Sequence, residues 1–130
     1  MNAPAFPRRA SVRKPVLVVD DEPDARELLA MMLEIAGFAV TTAANGRAAL
    51  LEARRRRPCV ILLDLMMPIM DGEAFRDVQR RDPELRQVPV VVLSAHHDVA
   101  AVAARLGIDH FAEKPLDLDR VLEMVAARCG

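Results

Sequence analysis

Val16-Leu17-Val18-Val19-Asp20-Asp21 and, further along, Val60-Ile61-Leu62-Leu63-Asp64 decide the fold of this chain. Short apolar runs bounded by polar residues read as strands buried on both faces, and such strands belong to parallel sheets covered by helices. In a parallel α/β sheet, ligands bind at the carboxyl ends of the strands. Asp20, Asp21 and Asp64 therefore converge on one edge. Carboxylates crowded there repel one another, so the cluster calls for a divalent cation, or for one acid to hold a proton. That pattern points to Mg²⁺ and phosphate chemistry.

Working outward from these runs, Pro23 suits the first turn of a helix. Its apolar face is Leu28, Leu29, Met32, Leu33 and Ala36, and Gly37 ends it. Phe38 to Thr42 reads as a second strand, and Asn45 caps a second helix that runs to about Arg57, before Pro58. Cys59 to Asp64 is the third strand. Leu65 to Gly72, punctuated by Pro68 and Asp71-Gly72, is a loop leading into a short helix that carries Phe75 and Val78. Pro89 to Ser94 gives strand four, and Val99, Val102, Ala103 and Leu106 mark a helix ended by Gly107. His110 to Glu113 is a fifth strand, and Asp117 caps a last helix with Leu118, Val121, Leu122 and Val125 on one face. With right-handed crossovers, five β-α units give a doubly wound parallel α/β sheet.

At 130 residues the chain is expected to form one domain with a real core. A formal net charge of −1 lacks the basic excess of a nucleic-acid binder, and no apolar run approaches the length of a membrane span. No nucleic-acid contact and no membrane are expected, and the location is read as cytoplasmic. Cys59 and Cys129 are too few for a disulfide framework or a zinc cage, so both are expected to be reduced thiols, Cys59 as a small core residue. The run Arg54 to Arg57 suits a helix carboxyl end and reads as a solvated face. Met31, Met32, Met66, Met67 and Met70 read as packing and loop anchors, and His97 and His110 as surface residues.

Strand ends one, three, four and five offer Asp20-Asp21, Asp64, Ser94 and Lys114: carboxylates for a hard cation, a nucleophile, and two donors for phosphoryl oxygens. On these residues the chain resembles the receiver domain of two-component response regulators. The resemblance is carried by Val16 to Pro23, Leu62 to Gly72, Leu93 to Ala95 and Glu113 to Pro115, and it covers essentially everything after Lys14. It divides the chain into a flexible tail over 1–14 and a receiver domain over 15–130.

The resemblance implies a flavodoxin-like (βα)5 three-layer sandwich with strand order 2-1-3-4-5. It implies a phosphoacceptor at Asp64 and Mg²⁺ held by the acidic pair Asp20 and Asp21, with Asp21, Asp64 and the Met66 carbonyl as direct ligands. Asp64 would attack a donor phosphohistidine while Lys114 offsets charge. Ser94, where many relatives have Thr, and Phe111 would form the switch, and the Lys114–Pro115 bond would be cis. Phe111 reads equally as a core residue. Met66 and His96 occupy the places that modulate phosphoryl lifetime; an apolar Met66 cannot orient water, which predicts a long-lived phosphoryl group, and His96 could counter it.

The resulting expectation is a stand-alone phosphorylation switch, since the sequence ends with the last helix. It would take phosphate from a histidine kinase or a histidine phosphotransfer protein, and signal to a downstream effector protein through the face of helix four, strand five and helix five. It would be a monomer or a phosphorylation-dependent dimer, and no enzyme beyond self-catalysed transfer to and hydrolysis from Asp64. One rival is an aspartate-nucleophile phosphatase or phosphotransferase, which generally has a second acid where Met66 stands. The other is a receiver-fold interaction module that works without phosphorylation.

Overall fold

β1 (Val16–Val19), β3 (Val60–Asp64) and β4 (Val90–Ser94) are buried along their whole length, as their uninterrupted apolar sequences require. The computed structural model describes residues 13–65, 69–95 and 98–129. These three strands form the middle of a five-stranded sheet of order β2-β1-β3-β4-β5, with β2 (Val40–Ala43) and β5 (His110–Glu113) at its edges. Every pairing is parallel, with Val16 opposite both Val40 and Val60, and Asp64 opposite Leu93. The doubly wound α/β architecture and its strand order are as expected.

Alternation along the strands divides the core in two. Leu17, Val19, Ile61, Leu63 and Val92 face α2 (Gly46–Arg55), α3 (Gly72–Arg81) and α4 (Val99–Arg105), where Phe75 is the largest buried side chain. Val16, Val18, Val60, Leu62, Val91 and Leu93 face α1 (Pro23–Ile35) and α5 (Leu118–Cys129), meeting Leu29, Leu33, Val121 and Val125. No described helix is long and apolar enough to cross a membrane.

Several boundaries differ from the sequence reading. Gly37, at φ 102°, donates to the Glu34 carbonyl and Phe38 to that of Leu33, so Phe38 closes α1 and β2 starts only at Val40. Gly107 ends α4 in the same way, with Ile108 donating to Ala103. On α1, Leu29 and Leu33 are buried, but Leu28 is 53% exposed, so the buried stripe is narrower than the apolar one. The arginine run lies largely at the surface, as expected of a solvated face, and three of its members also meet acids. Arg54 Nε donates to Asp82 Oδ2 at 3.1 Å, Arg57 lies 3.8 Å from Glu84, and Arg55 pairs with Glu52.

One expectation is overturned. Cys59 and Cys129 are joined in a disulfide, with Cα atoms 5.4 Å apart across a sequence separation of 70. The residue just before β3 and the last residue of α5 lie at the same end of the sheet, a proximity that comes from topology and is invisible in spacing.

Candidate functional site

The carboxyl edge of the sheet gathers the chemistry. β1 stops after Val19, and the amide of Asp20 continues the ladder to the Ala43 carbonyl at 3.1 Å. The chain then turns into α1: the Glu22 amide donates to Asp20 Oδ1 at 2.9 Å, Arg26 Nη1 donates to the Asp20 carbonyl at 2.8 Å, and Pro23 opens the helix. These contacts fix Asp20, which is buried, while Asp21 points to solvent. Asp64 ends β3 and is 6% exposed; Ser94 ends β4 and is fully enclosed.

Lys114 follows β5. Its amide donates to the Ser94 carbonyl at 2.8 Å, and its bond to Pro115 is cis, as the resemblance implies. Its ammonium reaches back over the edge, donating to Asp20 Oδ2 at 3.0 Å and lying 3.7 Å from Asp64 Oδ2. Burial alone would push the lysine pKa down; the hydrogen bond to Asp20 and the field of Asp64 outweigh it, so the pKa lies above the ordinary lysine value.

Asp20, Asp21 and Asp64 each place a carboxylate oxygen within 4.8 Å of the others. A hard, all-oxygen donor set of this charge fits a magnesium ion. Both oxygens of Asp20 already accept hydrogen bonds, from Glu22 and Lys114, so Asp20 is the held member and exposed Asp21 is the open one. Phe111 is half-buried against the α2-α3-α4 side of the core. Met66, including its carbonyl, and His96 lie outside the described residues, as does most of the 1–14 tail.

Two features of the edge escaped the sequence reading. Asp71-Gly72, read there as a turn, is the start of α3: Asp71 caps it by accepting from the Ala74 amide at 2.8 Å. Gly72 is present for space, because a Cβ there would lie 2.8 Å from Leu65 Cδ2, 2.9 Å from Leu65 Cα and 3.0 Å from the Asp64 carbonyl. The second feature is an apolar groove of about 310 Å³ beside the acids, lined by Leu28, Met32, Leu93, Pro115 and Leu118, with Asp20 and Lys114 at its polar end.

Comparison with known proteins agrees with this geometry. The family model described as response regulator receiver domain matches residues 16–126. DNA-binding response regulator MtrA of Mycolicibacterium smegmatis is 37% identical over 120 residues, covering 91% of this chain and 51% of MtrA. The probable transcriptional regulatory protein TcrX of Mycobacterium tuberculosis is 39% identical over 110 residues, covering 82% of this chain and 46% of TcrX. The chain thus spans about half the length of these two regulators. Among solved structures, response regulator protein TrrA of Thermotoga maritima, in complex with Mg²⁺-BeF, superposes with a TM-score of 0.78 at 29% identity, covering 88% of this chain and 97% of that one.

Proposed function

The chain belongs to the response regulator receiver family, and on that premise we propose that it is a phosphorylation switch whose phosphoacceptor is Asp64. The observation that carries this reading is the meeting of Asp20, Asp21 and Asp64 under the Lys114 ammonium. A histidine kinase or histidine phosphotransfer protein is the donor. An Asp64 oxygen attacks the phosphorus of the donor phosphohistidine; the P–O bond forms as the P–N bond breaks, and the imidazole keeps the electron pair and takes up a proton. The product is an acyl phosphate. Asp21 and Asp64 would hold magnesium, with Asp20 in support. When bound, the ion offsets the charge of the acids and of the transferring group.

Lys114 contributes from the chain itself. Its ammonium, already between Asp20 and Asp64, supplies positive charge where phosphoryl oxygens gather negative charge. Once Asp64 is phosphorylated, new acceptor oxygens compete with Asp20 for Lys114 and recruit the Ser94 hydroxyl. Lys114 is continuous with β5, so its repositioning is felt by Phe111 and by the α4-β5-α5 face, which we take as the surface that reads out the switch to an effector protein. The apolar groove lined by Leu28 and Met32 gives a donor protein a landing surface beside the acids. Chemistry is confined to Asp64 itself, with no turnover of a separate substrate, and the setting is the cytoplasm.

The test is labelling by acetyl phosphate. Incorporation is expected in the presence of Mg²⁺ and is expected to vanish with EDTA and in Asp64→Asn. No incorporation, under conditions where a control receiver labels, would replace this reading with a module that works without phosphorylation.

A further inference from the structure

The sheet has a second chemically distinctive end. Opposite the acidic edge, the Cys59–Cys129 disulfide ties the entry of β3 to the last residue of α5. Both cysteines are half-buried rather than sealed in the core. Beside Cys59 lies an open cleft of about 330 Å³ lined by Lys14, Arg57 and Arg128, with Glu84 as its acidic member. Electropositive, partly exposed surroundings favour a sulfur that departs as a thiolate. The same cations complement the carboxylates of low-molecular-weight thiols of the glutathione class.

The structure also provides for the reduced form. Cys59 Sγ lies 3.4 Å from the Pro15 carbonyl and 3.5 Å from that of Lys14. A sulfur in a disulfide has no proton to donate, whereas a Cys59 thiol would find acceptors already in place. Cys129 is the last residue of α5 and, like Cys59, is half-buried.

We propose that Cys59 and Cys129 form a reversible thiol–disulfide switch, exchanging with glutathione-class thiols at Cys129, that fastens or frees the carboxyl end of α5. A small-molecule thiolate attacks Cys129 Sγ; a mixed disulfide forms, the protein S–S bond breaks, and Cys59 leaves as a thiolate that takes up a proton and donates to Pro15. A second small-molecule thiolate attacks the mixed disulfide on its non-protein sulfur, which releases the Cys129 thiolate and one small-molecule disulfide. The protein gains two electrons and the two small thiols lose them. Disulfides of cytosolic proteins are mostly of this transient or sensing kind. The inference uses nothing of the phosphoryl chemistry, and the packing of Val121 and Val125 against Val60 and Leu62 holds α5 on the sheet in either state.

The experiment equilibrates the full chain in glutathione buffers of graded GSH/GSSG ratio, counting free thiols and following amide hydrogen exchange. Both thiols are expected to disappear together and reversibly within the physiological range of ratios. Exchange in the segment from Met124 to Cys129 is expected to quicken at least about tenfold on reduction, with β3 still protected. Cys59→Ser is expected to accumulate glutathione on Cys129. Three results would overturn the proposal: two thiols that never pair under GSSG, a disulfide that persists at every ratio, or exchange at the end of α5 that ignores the redox state. Global unfolding on reduction would also overturn it, as a purely structural staple.

Discussion

Replacing Lys114 by Met keeps the aliphatic stem and removes an ammonium that lies against the carboxylates of both Asp20 and Asp64. Two opposite effects follow. At an effective dielectric of about 20, an ammonium 3.7 Å from Asp64 gains about 4.5 kcal/mol of gross Coulomb energy, most of it spent on desolvation. Breaking a buried pair costs about 3–5 kcal/mol; with the Lys114 side chain 25% exposed, about 2–3 kcal/mol is expected for the metal-free protein. Magnesium binding should move the other way. An ion held about 2.1 Å from Asp64 Oδ2 would lie no more than about 6 Å from the ammonium, which would repel it by at least about 1.4 kcal/mol even at the dielectric of water. Lys114→Met should therefore bind Mg²⁺ about tenfold tighter while accepting phosphate more slowly. The chain has neither Trp nor Tyr, so the affinity is read by calorimetry or by amide chemical shifts. A folded Lys114→Met protein whose Mg²⁺ affinity is unchanged or weaker would refute the claim that ammonium and metal share these acids.

Gln79 is fully buried and its amide donates to the Leu85 and Val88 carbonyls at 2.9 and 3.0 Å, so Gln79→Leu should cost about 2–4 kcal/mol in urea unfolding while Mg²⁺ affinity stays unchanged. Gly72→Ala should lose about 1–3 kcal/mol and acetyl phosphate labelling together, because the Cβ meets backbone atoms of Leu65 and Asp64 that cannot swing aside. For pH, the Lys114 pKa is raised above 10.5 in the fold, so its stabilisation is complete below that value and is lost as pH rises through the folded pKa. The metal-free wild type should accordingly lose melting temperature above about pH 10.5 more steeply than Lys114→Met does. Reduction of Cys59–Cys129, which closes a separation of 70 residues, should lower unfolding stability by up to about 4 kcal/mol in denaturant titrations of the oxidised and reduced chain.

What could be read from the sequence was whatever depends on local pattern. The runs ending at Asp20, Asp64 and Ser94 are strands because each is apolar throughout, and Asn45 and Asp71 cap helices with their own side chains. Asn45 was legible as a cap; Asp71 was hidden because Asp-Gly also spells a turn. Leu28 was misplaced for a related reason: the period of α1 marks an apolar stripe, but the width that the sheet covers is set by how α1 sits, and that left Leu28 beside the groove. Gln79 gave no signal at all. It is polar on a strongly amphipathic helix, and it is buried because the carbonyls of Leu85 and Val88, in the connection to β4, turn inward and need donors.

The acidic cluster and the disulfide are two consequences of one rule. When all five strands run the same way, their carboxyl ends share an edge, and Asp20, Asp64, Ser94 and Lys114 meet although they are scattered along the chain. The same geometry obliges the strand entries and the helix exits to share the opposite edge. Cys59 stands immediately before β3, and Cys129 ends the helix that returns across the sheet from Lys114. Once α5 is laid antiparallel to β3 on the face that carries Val60 and Leu62, its last turn has to arrive beside the start of that strand. A pair of cysteines too sparse to suggest a framework becomes a bonded pair when each is assigned to an edge, and β3 then runs from the disulfide at its entry to Asp64, the proposed phosphoacceptor, at its end.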